Sequence, residues 1–270
     1  MTLLITGSSG FLGSELSRQL VLRGSSFDVL TRTGIFRNGE KILDCFFDLA
    51  DGKVPGSKYL VEYSELVHLA WYGLPNYKSQ LHLRQLSAHK TFLLNAVEAG
   101  VTSIFVAGTC LEYGLAEGPL TKLSVPAPTS AYGKAKLQLL DFIDQLHNER
   151  DFSYCWGRFF YIYGVGQKEN SLYPTMLRAL RNNTSIELHS TGKQICDFIP
   201  VEEACFAVLK ILEEGSNHKI VNIGSGNPIS VVDWLRKIIP IDSKTKIEFL
   251  EHELSDYEPF ASWAADHFKI

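Results

Sequence analysis

"TLLITGSSGFLGSELSRQL" (residues 2–20) is the stretch that decides the fold. An apolar run leads into Gly7, Gly10 and Gly13, and leucines spaced by four follow, as on one face of a helix. The first glycine suits a tight turn, the second lets a pyrophosphate approach the backbone, and the third allows close packing of helix on strand. We therefore predict a strand, a glycine loop and a helix whose N-terminal N–H groups face a phosphate.

Strand-like apolar runs alternate with helical patterns over the first part of the chain. The runs are mostly continuous, which is typical of a parallel sheet covered on both faces. Helices are expected after the glycine loop, over Tyr77–Ala99 and after Tyr132. This alternation predicts an α/β fold with a Rossmann-type, doubly wound parallel sheet. The predicted strands are Leu3–Thr6, Phe27–Thr31, Leu43–Phe47, Leu66–Ala70, Ile104–Ala107 and Tyr154–Phe160.

The rhythm of the sequence changes after Gly164, where the segments become shorter and mixed. We predict that residues 1–163 form mainly the NAD(P)-binding Rossmann domain. Residues 164–270 then form mainly a smaller substrate-binding region, interleaved with returning Rossmann elements at about 194–223. Leu115–Gly133 contains three prolines and few periodic positions, and it is predicted to be a long loop.

Composition excludes several classes of partner. The chain has 270 residues, 45% of them apolar, and a net charge of −4, so no general basic field is present for nucleic acid or a membrane surface. No apolar run approaches the roughly 18 residues of a membrane span. The five cysteines include no CxxC pair, and the first predicted strand leaves no room for a leader. We expect a cytoplasmic protein with no nucleic-acid or membrane partner.

The end of the second predicted strand bears on cofactor choice. NAD-selective sites often end this strand with a carboxylate that bonds the ribose hydroxyls. Here "FDVLTRTGIFR" ends with Thr31 and Arg32, with Arg37 nearby and no carboxylate. Because Arg32 is suited to pair with a 2′-phosphate, the sequence favours NADP(H) over NAD(H). The alternative is that Arg32 is a solvated surface residue.

A candidate catalytic pair occurs in "SAYGKAK", where Tyr132 and Lys136 are four residues apart and share one face of a helix. A free phenol titrates near pH 10, and an adjacent ammonium favours the phenolate. Tyr132 is then suited to exchange a proton with a carbonyl or alcohol oxygen. On its own, this spacing is also common on surface helices.

The glycine motif and the Tyr-Lys pair together resemble the extended short-chain dehydrogenase/reductase family. Further stretches fit the same family: "FFDLAD", "VHLAW", "GTCLEYG", "GRFFYIYG" and "VNIGSG". Within it, the chain is similar to the nucleotide-sugar epimerase, dehydratase and reductase branch, above all to reductases of NDP-4-keto-6-deoxyhexoses. The resemblance covers most of the chain and implies a homodimer formed through the helices near Tyr77–Ala99 and Ala131–Asn148.

The resemblance also implies site residues. Thr109 joins Tyr132 and Lys136 as the third catalytic residue. His68 and His189 have no partner at metal-ligand spacing, so no metal site is expected. The expected cofactor-binding residues are Gly7, Ser9, Gly10, Phe11, Leu12, Gly13, Arg32, Asp48, Leu49, Leu69, Ala70, Trp71, Lys136 and Phe159. The expected substrate-binding residues are Trp71, Tyr72, Thr109, Cys110, Leu111, Tyr132 and Tyr161.

Two residues after Thr109 discriminate between reactions. Nucleotide-sugar 4,6-dehydratases carry an acid–base Asp-Glu pair there, whereas this chain has Cys110 and Leu111. The cysteine of fucose-synthase-like epimerase/reductases falls on Leu111, so Cys110 is one place off. We therefore expect NADPH-dependent reduction of the 4-keto group of a dTDP- or CDP-linked 4-keto-6-deoxyhexose, with Tyr132 as proton donor. The alternatives are an NAD-dependent nucleotide-sugar 4-epimerase and a non-catalytic dinucleotide-binding sensor or scaffold.

Three departures from the family pattern leave the substrate open. Cys196 stands where relatives place an arginine for the substrate diphosphate, and the C-terminal segment lacks the second such arginine. Lys193, Arg178 and Arg181 are possible substitutes. The family's "RxxN" ends at Tyr161, and its helix asparagine corresponds to Gln85. The sugar, the nucleotide and the residues that hold the diphosphate are therefore not specified by the sequence.

Overall fold

An eight-stranded sheet with helices on both faces forms most of the structure, a computed structural model that describes residues 2–250 and 259–269. The strands are β1 (Leu3–Thr6), β2 (Phe27–Thr31), β3 (Gly34–Arg37), β4 (Glu40–Leu43), β5 (Glu65–His68), β6 (Ser103–Thr109), β7 (Gly118–Leu120), β8 (Ser153–Phe159), β9 (Tyr161–Tyr163), β10 (Ile186–Leu188), β11 (Ile195–Pro200), β12 (Lys219–Ile223), β13 (Pro228–Ser230), β14 (Ile247–Phe249) and β15 (Ser262–Ala264). The helices are α1 (Phe11–Leu22), α2 (Leu81–Arg84), α3 (Leu86–Glu98), α4 (Ala131–Glu149), α5 (Leu172–Asn182), α6 (Val201–Glu213) and α7 (Val231–Ile238).

The large sheet has the order β12-β8-β6-β5-β1-β2-β3-β4. The pairs from β12 to β2 are parallel, and β3 and β4 are added antiparallel at one edge. One apolar core lies on each face of this sheet, and α3 and α4 cover one face while α1 and α6 cover the other. The α/β class and the Rossmann-type sheet predicted from the sequence are confirmed.

The prediction of a strand over Leu43–Phe47 is wrong. The chain instead makes two antiparallel strands, β3 and β4, joined through Asn38 and Gly39, which both have positive φ angles of 49° and 84°. An Asn-Gly pair favours this kind of two-residue hairpin turn. A further parallel strand would need a crossover of a dozen residues or more, and the chain between β2 and Leu43 is too short for one. Phe47 still enters the core, but from a segment without strand structure.

The helix predicted over Tyr77–Ala99 is shorter and is divided in two. Residues 77–80 form turns, α2 is a single turn, and α3 follows after Gln85. The amide of Gln85 donates to the backbone oxygen of Tyr72 at 2.9 Å and accepts from its N–H at 3.3 Å. The junction between the helices therefore fixes the loop that follows β5.

The predicted loop Leu115–Gly133 contains one short strand. β7 pairs in parallel with β15, which brings the C-terminal part of the chain beside the large sheet. The loop ends where the Ser130 hydroxyl accepts from the N–H of Gly133 and caps α4.

A smaller region is built from residues after β8. β9, β11 and β13 form one sheet, and β10 and β14 form another. Together with α5 and α7 they enclose a third apolar core. Within the predicted return at 194–223, β11 joins the small sheet, whereas α6 packs on the large sheet and β12 becomes its edge strand. Across the described residues, no helix combines the length and apolar character that crossing a bilayer requires.

Candidate active site

A cavity of about 1240 Å³ opens at the carboxyl ends of the parallel strands, where the small region faces the large sheet. The glycine loop after β1, the ends of β5, β6 and β8, and the first turns of α4 all contribute to its wall. The order of the sheet reverses between β1 and β5, and ligands of doubly wound sheets bind at such a point. The cavity is therefore the candidate active site.

The glycine loop has the geometry expected from its spacing. Gly7 has a φ of +75°, and a side-chain carbon there would lie 2.6 Å from the backbone nitrogen of Ala70. A carbon on Gly13 would lie 2.1 Å from the Gly7 carbonyl oxygen, so α1 begins directly against the loop. Gly10 caps the helix without any side chain, which leaves the first N–H groups of α1 at the cavity wall.

Most of the expected cofactor residues lie on the cavity wall. Those that line it are Gly7, Ser9, Gly10, Phe11, Leu12, Gly13, Leu69, Trp71, Lys136 and Phe159. Arg32, Asp48, Leu49 and Ala70 are not among the lining residues. Leu49 is buried in a core, Asp48 accepts from the N–H groups of the two residues that follow Leu49, and Arg32 lies over the Tyr72 ring.

All of the expected substrate residues line the same cavity: Trp71, Tyr72, Thr109, Cys110, Leu111, Tyr132 and Tyr161. The structure thus brings together groups that are far apart in sequence. Their arrangement at one end of the sheet follows from the parallel strand order.

The charge of the cavity favours anions. Two lysines, Lys136 and Lys168, belong to the wall, and none of the lining residues within the described ranges is an aspartate or glutamate. Helix N-termini and ammonium groups attract phosphates, and no carboxylate among the described lining residues opposes that attraction. The residues present therefore fit a phosphate-bearing dinucleotide.

Thr109 ends β6 and is held from both sides. Its hydroxyl accepts from the N–H of Leu111 at 3.3 Å, and its own N–H donates to the Glu112 carboxylate at 2.8 Å. This reciprocal arrangement is a capping box on the short 3₁₀ turn Cys110–Tyr113. The hydroxyl proton of Thr109 remains available to a ligand oxygen or to the phenol of Tyr132.

Beneath Thr109 lies a buried ion pair. The Arg158 Nε donates to a Glu112 carboxylate oxygen at 2.7 Å, and the Trp156 Nε1 donates to the same carboxylate at 2.9 Å. Glu112 and Arg158 are 0% and 1% exposed. Because Glu112 also accepts from the N–H of Thr109, this ion pair sets the position of the Thr109 backbone at the end of β6.

Tyr132 lies in the first turn of α4, with its N–H donating to the Tyr77 carbonyl at 3.0 Å. Burial raises the pKa of the Tyr132 phenol well above its usual value, and the Tyr77 phenol nearby acts in the same direction. A hydrogen bond with the Thr109 hydroxyl opposes this shift in pKa. Tyr132 is therefore a protonated phenol at neutral pH.

Lys136 lies one turn further along α4 and is only 2% exposed. Its Nζ donates to the Ala107 carbonyl at 2.6 Å and lies 3.7 Å from the ring centre of Trp71 and 5.7 Å from that of Tyr132. Burial lowers the pKa of Lys136 to about 7, and the Glu112 charge partly opposes this shift. The Ala107 carbonyl and the face of Trp71 thus hold the ammonium in place.

A group of buried histidines lies beside the lysine. The Nδ1 of His68 is 2.8 Å from the Thr6 hydroxyl, and its Nε2 is 2.8 Å from the Nδ1 of His89. Burial lowers the pKa of His68 to about 3 and that of His89 well below its usual value. Both rings are thus neutral and help to pack the end of β5. Within the part of the chain that the structure describes, no cluster of three metal-ligating side chains is found.

The small region supplies an aromatic wall. Phe198 and Trp234 stack with ring centres 4.3 Å apart, and Tyr163 meets Trp234 edge-on at 4.9 Å. Cys196, at the position of the family arginine, also belongs to the cavity wall although it is buried.

The basic side chains that line this wall are not the ones expected from the sequence. Lys193, Arg178 and Arg181 do not line the cavity, whereas Lys168 and His189 do. Lys168 also donates through its Nζ to the Leu74 carbonyl across the cleft. Residues 255–258 of the C-terminal segment, which lacks the family's second phosphate arginine, lie outside the described residues.

Sequence reasoning missed three residues that shape the site. Glu112 lies inside "GTCLEYG", but nothing in that stretch predicts that it pairs with Arg158. His82 belongs to a polar stretch without a motif, yet it bonds Trp71. Lys168 follows a glycine-containing turn and gave no signal. In each case the fold brings the two partners together, so their spacing along the sequence does not predict the contact.

Three comparisons place the chain among known proteins. Residues 3–224 match the family described as "NAD dependent epimerase/dehydratase family". Over 98% of its length the chain is 27% identical to dTDP-6-deoxy-L-talose 4-dehydrogenase (NAD(+)) of Aggregatibacter actinomycetemcomitans, which is covered entirely. Among solved structures it is similar to MoeE5 in complex with UDP-glucuronic acid and NAD, with a TM-score of 0.76, 25% identity, and 98% and 89% of the two chains covered. It shares its fold with a UDP-N-acetylglucosamine 4-epimerase from Methanobrevibacter ruminantium M1, with a TM-score of 0.80, 21% identity, and 96% and 88% of the two chains covered.

The buried ion pair can be tested through stability. Substituting Glu112→Ala leaves the Arg158 guanidinium buried without its partner, and we expect the free energy of unfolding to fall by about 3–5 kcal/mol in urea titrations. Asp44→Ala, which removes an exposed pair with Lys41, should change it by less than about 1 kcal/mol. Equal, small losses in both variants would contradict the structural role of Glu112.

The depressed pKa of Lys136 predicts a pH dependence of stability. Because the folded pKa is about 7 and the unfolded value is 10.5, the unfolded chain binds more protons between these values. The resulting destabilisation is complete below pH 7 and is relieved as the pH rises. The free energy of unfolding should thus increase by about 1 kcal/mol from pH 7.5 to 8.5 in the wild type, and this increase should be absent in Lys136→Met. Lys134→Met, an exposed lysine on the same helix, should keep the increase.

Proposed function

The chain belongs to the NAD-dependent epimerase/dehydratase family of extended short-chain dehydrogenase/reductases, and from this membership we propose that it is a ketoreductase. In this proposal it uses NADPH to reduce the 4-keto group of a nucleotide-linked 4-keto-6-deoxyhexose, carried on dTDP or CDP, to a 6-deoxysugar. The observation that carries the proposal is the convergence of Thr109, Tyr132 and Lys136 on the cavity that also contains the glycine loop. The end-to-end similarity to a dTDP-6-deoxy-L-talose 4-dehydrogenase supports redox chemistry at that position of the sugar.

The catalytic residues have distinct roles in the proposed reaction. A bound nicotinamide dinucleotide supplies the hydride that adds to the carbonyl carbon. Tyr132 donates its phenolic proton to the carbonyl oxygen, and the Thr109 hydroxyl donates a hydrogen bond to the same oxygen and orients it. Lys136, on the same helix face, stabilises the phenolate that remains on Tyr132 and binds the cofactor ribose through the Nζ donors that Ala107 does not use.

The protonation state of Tyr132 favours the reductive direction. Because burial raises the pKa of its phenol, the residue holds a proton at neutral pH and is prepared to donate it. After transfer, the buried phenolate is the less stable form and regains a proton readily. A residue working mainly as a base would be better served by a lowered pKa.

The absence of carboxylates from the described cavity wall argues against elimination of water. Glu112 is the acidic residue closest in sequence to Thr109, and its carboxylate is committed to Arg158 and Trp156 beneath the site. A 4,6-dehydratase would need a group there to remove one proton and deliver another. The 4-epimerase alternative uses the same three catalytic residues, so it differs from the proposal in cofactor turnover and not in these side chains.

For the cofactor we propose NADP(H), on the basis of Arg32. It follows β2 directly, and the end of that strand has no carboxylate for a ribose 2′-hydroxyl. Asp28, at the start of β2, is buried and bonded to Arg37 and Tyr63, so Arg37 is occupied. Arg32 is exposed, and its guanidinium lies 5.8 Å from the ring centre of Tyr72, beside the cavity. The name of the dTDP-6-deoxy-L-talose 4-dehydrogenase specifies NAD(+), and the MoeE5 structure contains NAD, so a preference for NADPH would distinguish this chain from both.

Turnover tests the reaction. Purified protein is supplied with NADPH and dTDP-4-keto-6-deoxyglucose, with and without a 3,5-epimerase, and loss of absorbance at 340 nm is followed. We expect net NADPH oxidation that falls about 100-fold or more in Tyr132→Phe because the proton donor is removed. Tyr59→Phe, outside the cavity, serves as the control. Tightly retained NAD without net oxidation of NADPH would instead identify an epimerase.

Cofactor choice is tested by binding. The dissociation constants for NADPH and NADH are measured by quenching of protein fluorescence. In Arg32→Asp the NADPH constant should rise about tenfold or more relative to the NADH constant, because a charge-assisted contact with the 2′-phosphate is lost. Arg181→Asp is the control, because it makes the same change of charge at an exposed arginine that does not line the cavity. If the wild type prefers NADH, or if the two substitutions act alike, the assignment of NADP(H) is wrong.

A further inference from the structure

We propose that His82 is a positioning residue that fixes the indole of Trp71, and that the fixed indole in turn holds the Lys136 ammonium at the active site. The role assigned to Lys136 rests on the proposed function, whereas the contacts themselves do not. His82 does not line the cavity in the described structure, so it acts through Trp71.

Both ring nitrogens of His82 are in use. Nε2 lies 2.7 Å from the Asn76 carbonyl oxygen, which only accepts, so Nε2 carries the hydrogen. Nδ1 lies 3.0 Å from Nε1 of Trp71, which only donates, so Nδ1 is the acceptor. The side chain is fully buried, and burial lowers its pKa. One neutral tautomer of His82 therefore satisfies both neighbours and specifies the rotation of the indole.

The indole is also held by stacking. His89 lies nearly parallel to it, with ring centres 4.2 Å apart and an angle of 23° between the planes. Tyr132 meets it edge-on with ring centres 5.6 Å apart. Trp71 thus contacts a buried histidine, the catalytic phenol and the catalytic lysine at once.

Lys136 depends on the Trp71 indole because few other groups stabilise the charged form of its side chain. Among the described residues its ammonium donates to the Ala107 carbonyl, and an aromatic face at 3.7 Å favours the charged form of the lysine. Burial opposes the charged form, and the Glu112 carboxylate supports it from below. The neighbouring titratable groups are Tyr132 on α4, His68 at the end of β5, His82 on α2 and His89 on α3, and all four are neutral at pH 7. An indole that rotates away would remove the aromatic face and leave the charged form of Lys136 supported, among the described residues, by the Ala107 carbonyl and the Glu112 charge.

Two isosteric variants separate this role from general packing. In His82→Asn the side-chain oxygen reaches the former Nδ1 position and still accepts from Trp71. In His82→Gln the amide reaches the former Nε2 position and still donates to Asn76, but the bond to Trp71 is lost. Both variants are neutral and polar, and near-UV circular dichroism with thermal unfolding confirms that each one folds.

The readout is the pH at which Lys136 titrates. In cofactor-free protein it is measured as the pH at which the free energy of unfolding begins to rise. The same titration of Lys136→Met shows which part of the rise is due to this lysine. The titration pH is measured independently as the midpoint at which the dissociation constants for NADPH and for NADH increase between pH 6 and 9. His82→Gln should lower both midpoints and weaken dinucleotide binding about threefold to tenfold at pH 7.5, and His82→Asn should restore both towards the wild type.

Wild-type midpoints in both variants, equal shifts in both, or weaker binding at every pH without a shift would each overturn the proposal. The proposed function fails separately, because a protein that does not oxidise NADPH with the keto-sugar can still show these titrations. Conversely, normal turnover in the wild type with no response to His82→Gln would leave the reductase intact and remove the role of His82.

Discussion

A lysine ammonium buried without a carboxylate partner is the constraint around which the active site is organised. Lys136 is kept in place by the Ala107 carbonyl at the end of β6 and by the face of Trp71 after β5. Both supports exist only because two neighbouring parallel strands end at the same edge of the sheet and because α4 passes directly over that edge. The sheet order, the start of α4 and the loop after β5 therefore have to be correct together for one side chain to be placed.

The site combines groups that weaken the fold with groups that secure it. Burial disfavours the ammonium of Lys136 and raises the pKa of Tyr132, and both effects are concentrated where chemistry is expected. Directly beneath, Glu112 and Arg158 neutralise each other and hold Thr109 through its backbone N–H. The destabilising charge of Lys136 and the Glu112–Arg158 pair thus share one strand end, so changes in either are expected to affect both stability and the geometry of the Thr109 hydroxyl.

Local signals in the sequence were sufficient for the frame of the molecule. The glycine loop, most strands of the parallel sheet and the helix bearing Tyr132 and Lys136 follow from apolar runs and short motifs that act over a few residues. The Asn38-Gly39 hairpin was not predicted although its signal is local, because its strands have only four residues each and the apolar run ending at Phe47 is typical of a parallel strand. The contacts of His82 with Trp71 and of Glu112 with Arg158 could not be predicted, since they join residues that only the folded topology brings together. The roles of the site residues remain predictions that the experiments above address.

In the proposed reaction, hydride is delivered from an exchanged NADPH to the sugar and is not returned within one bound cofactor. This step is tested by supplying NADPH that carries deuterium at both C4 positions of the nicotinamide, with dTDP-4-keto-6-deoxyglucose, and following the product by mass spectrometry and NMR. We expect one deuterium at C4 of the product sugar for each NADP⁺ formed. Conversion of a nucleotide sugar without stoichiometric consumption of the labelled cofactor, or product without deuterium at C4, would contradict it.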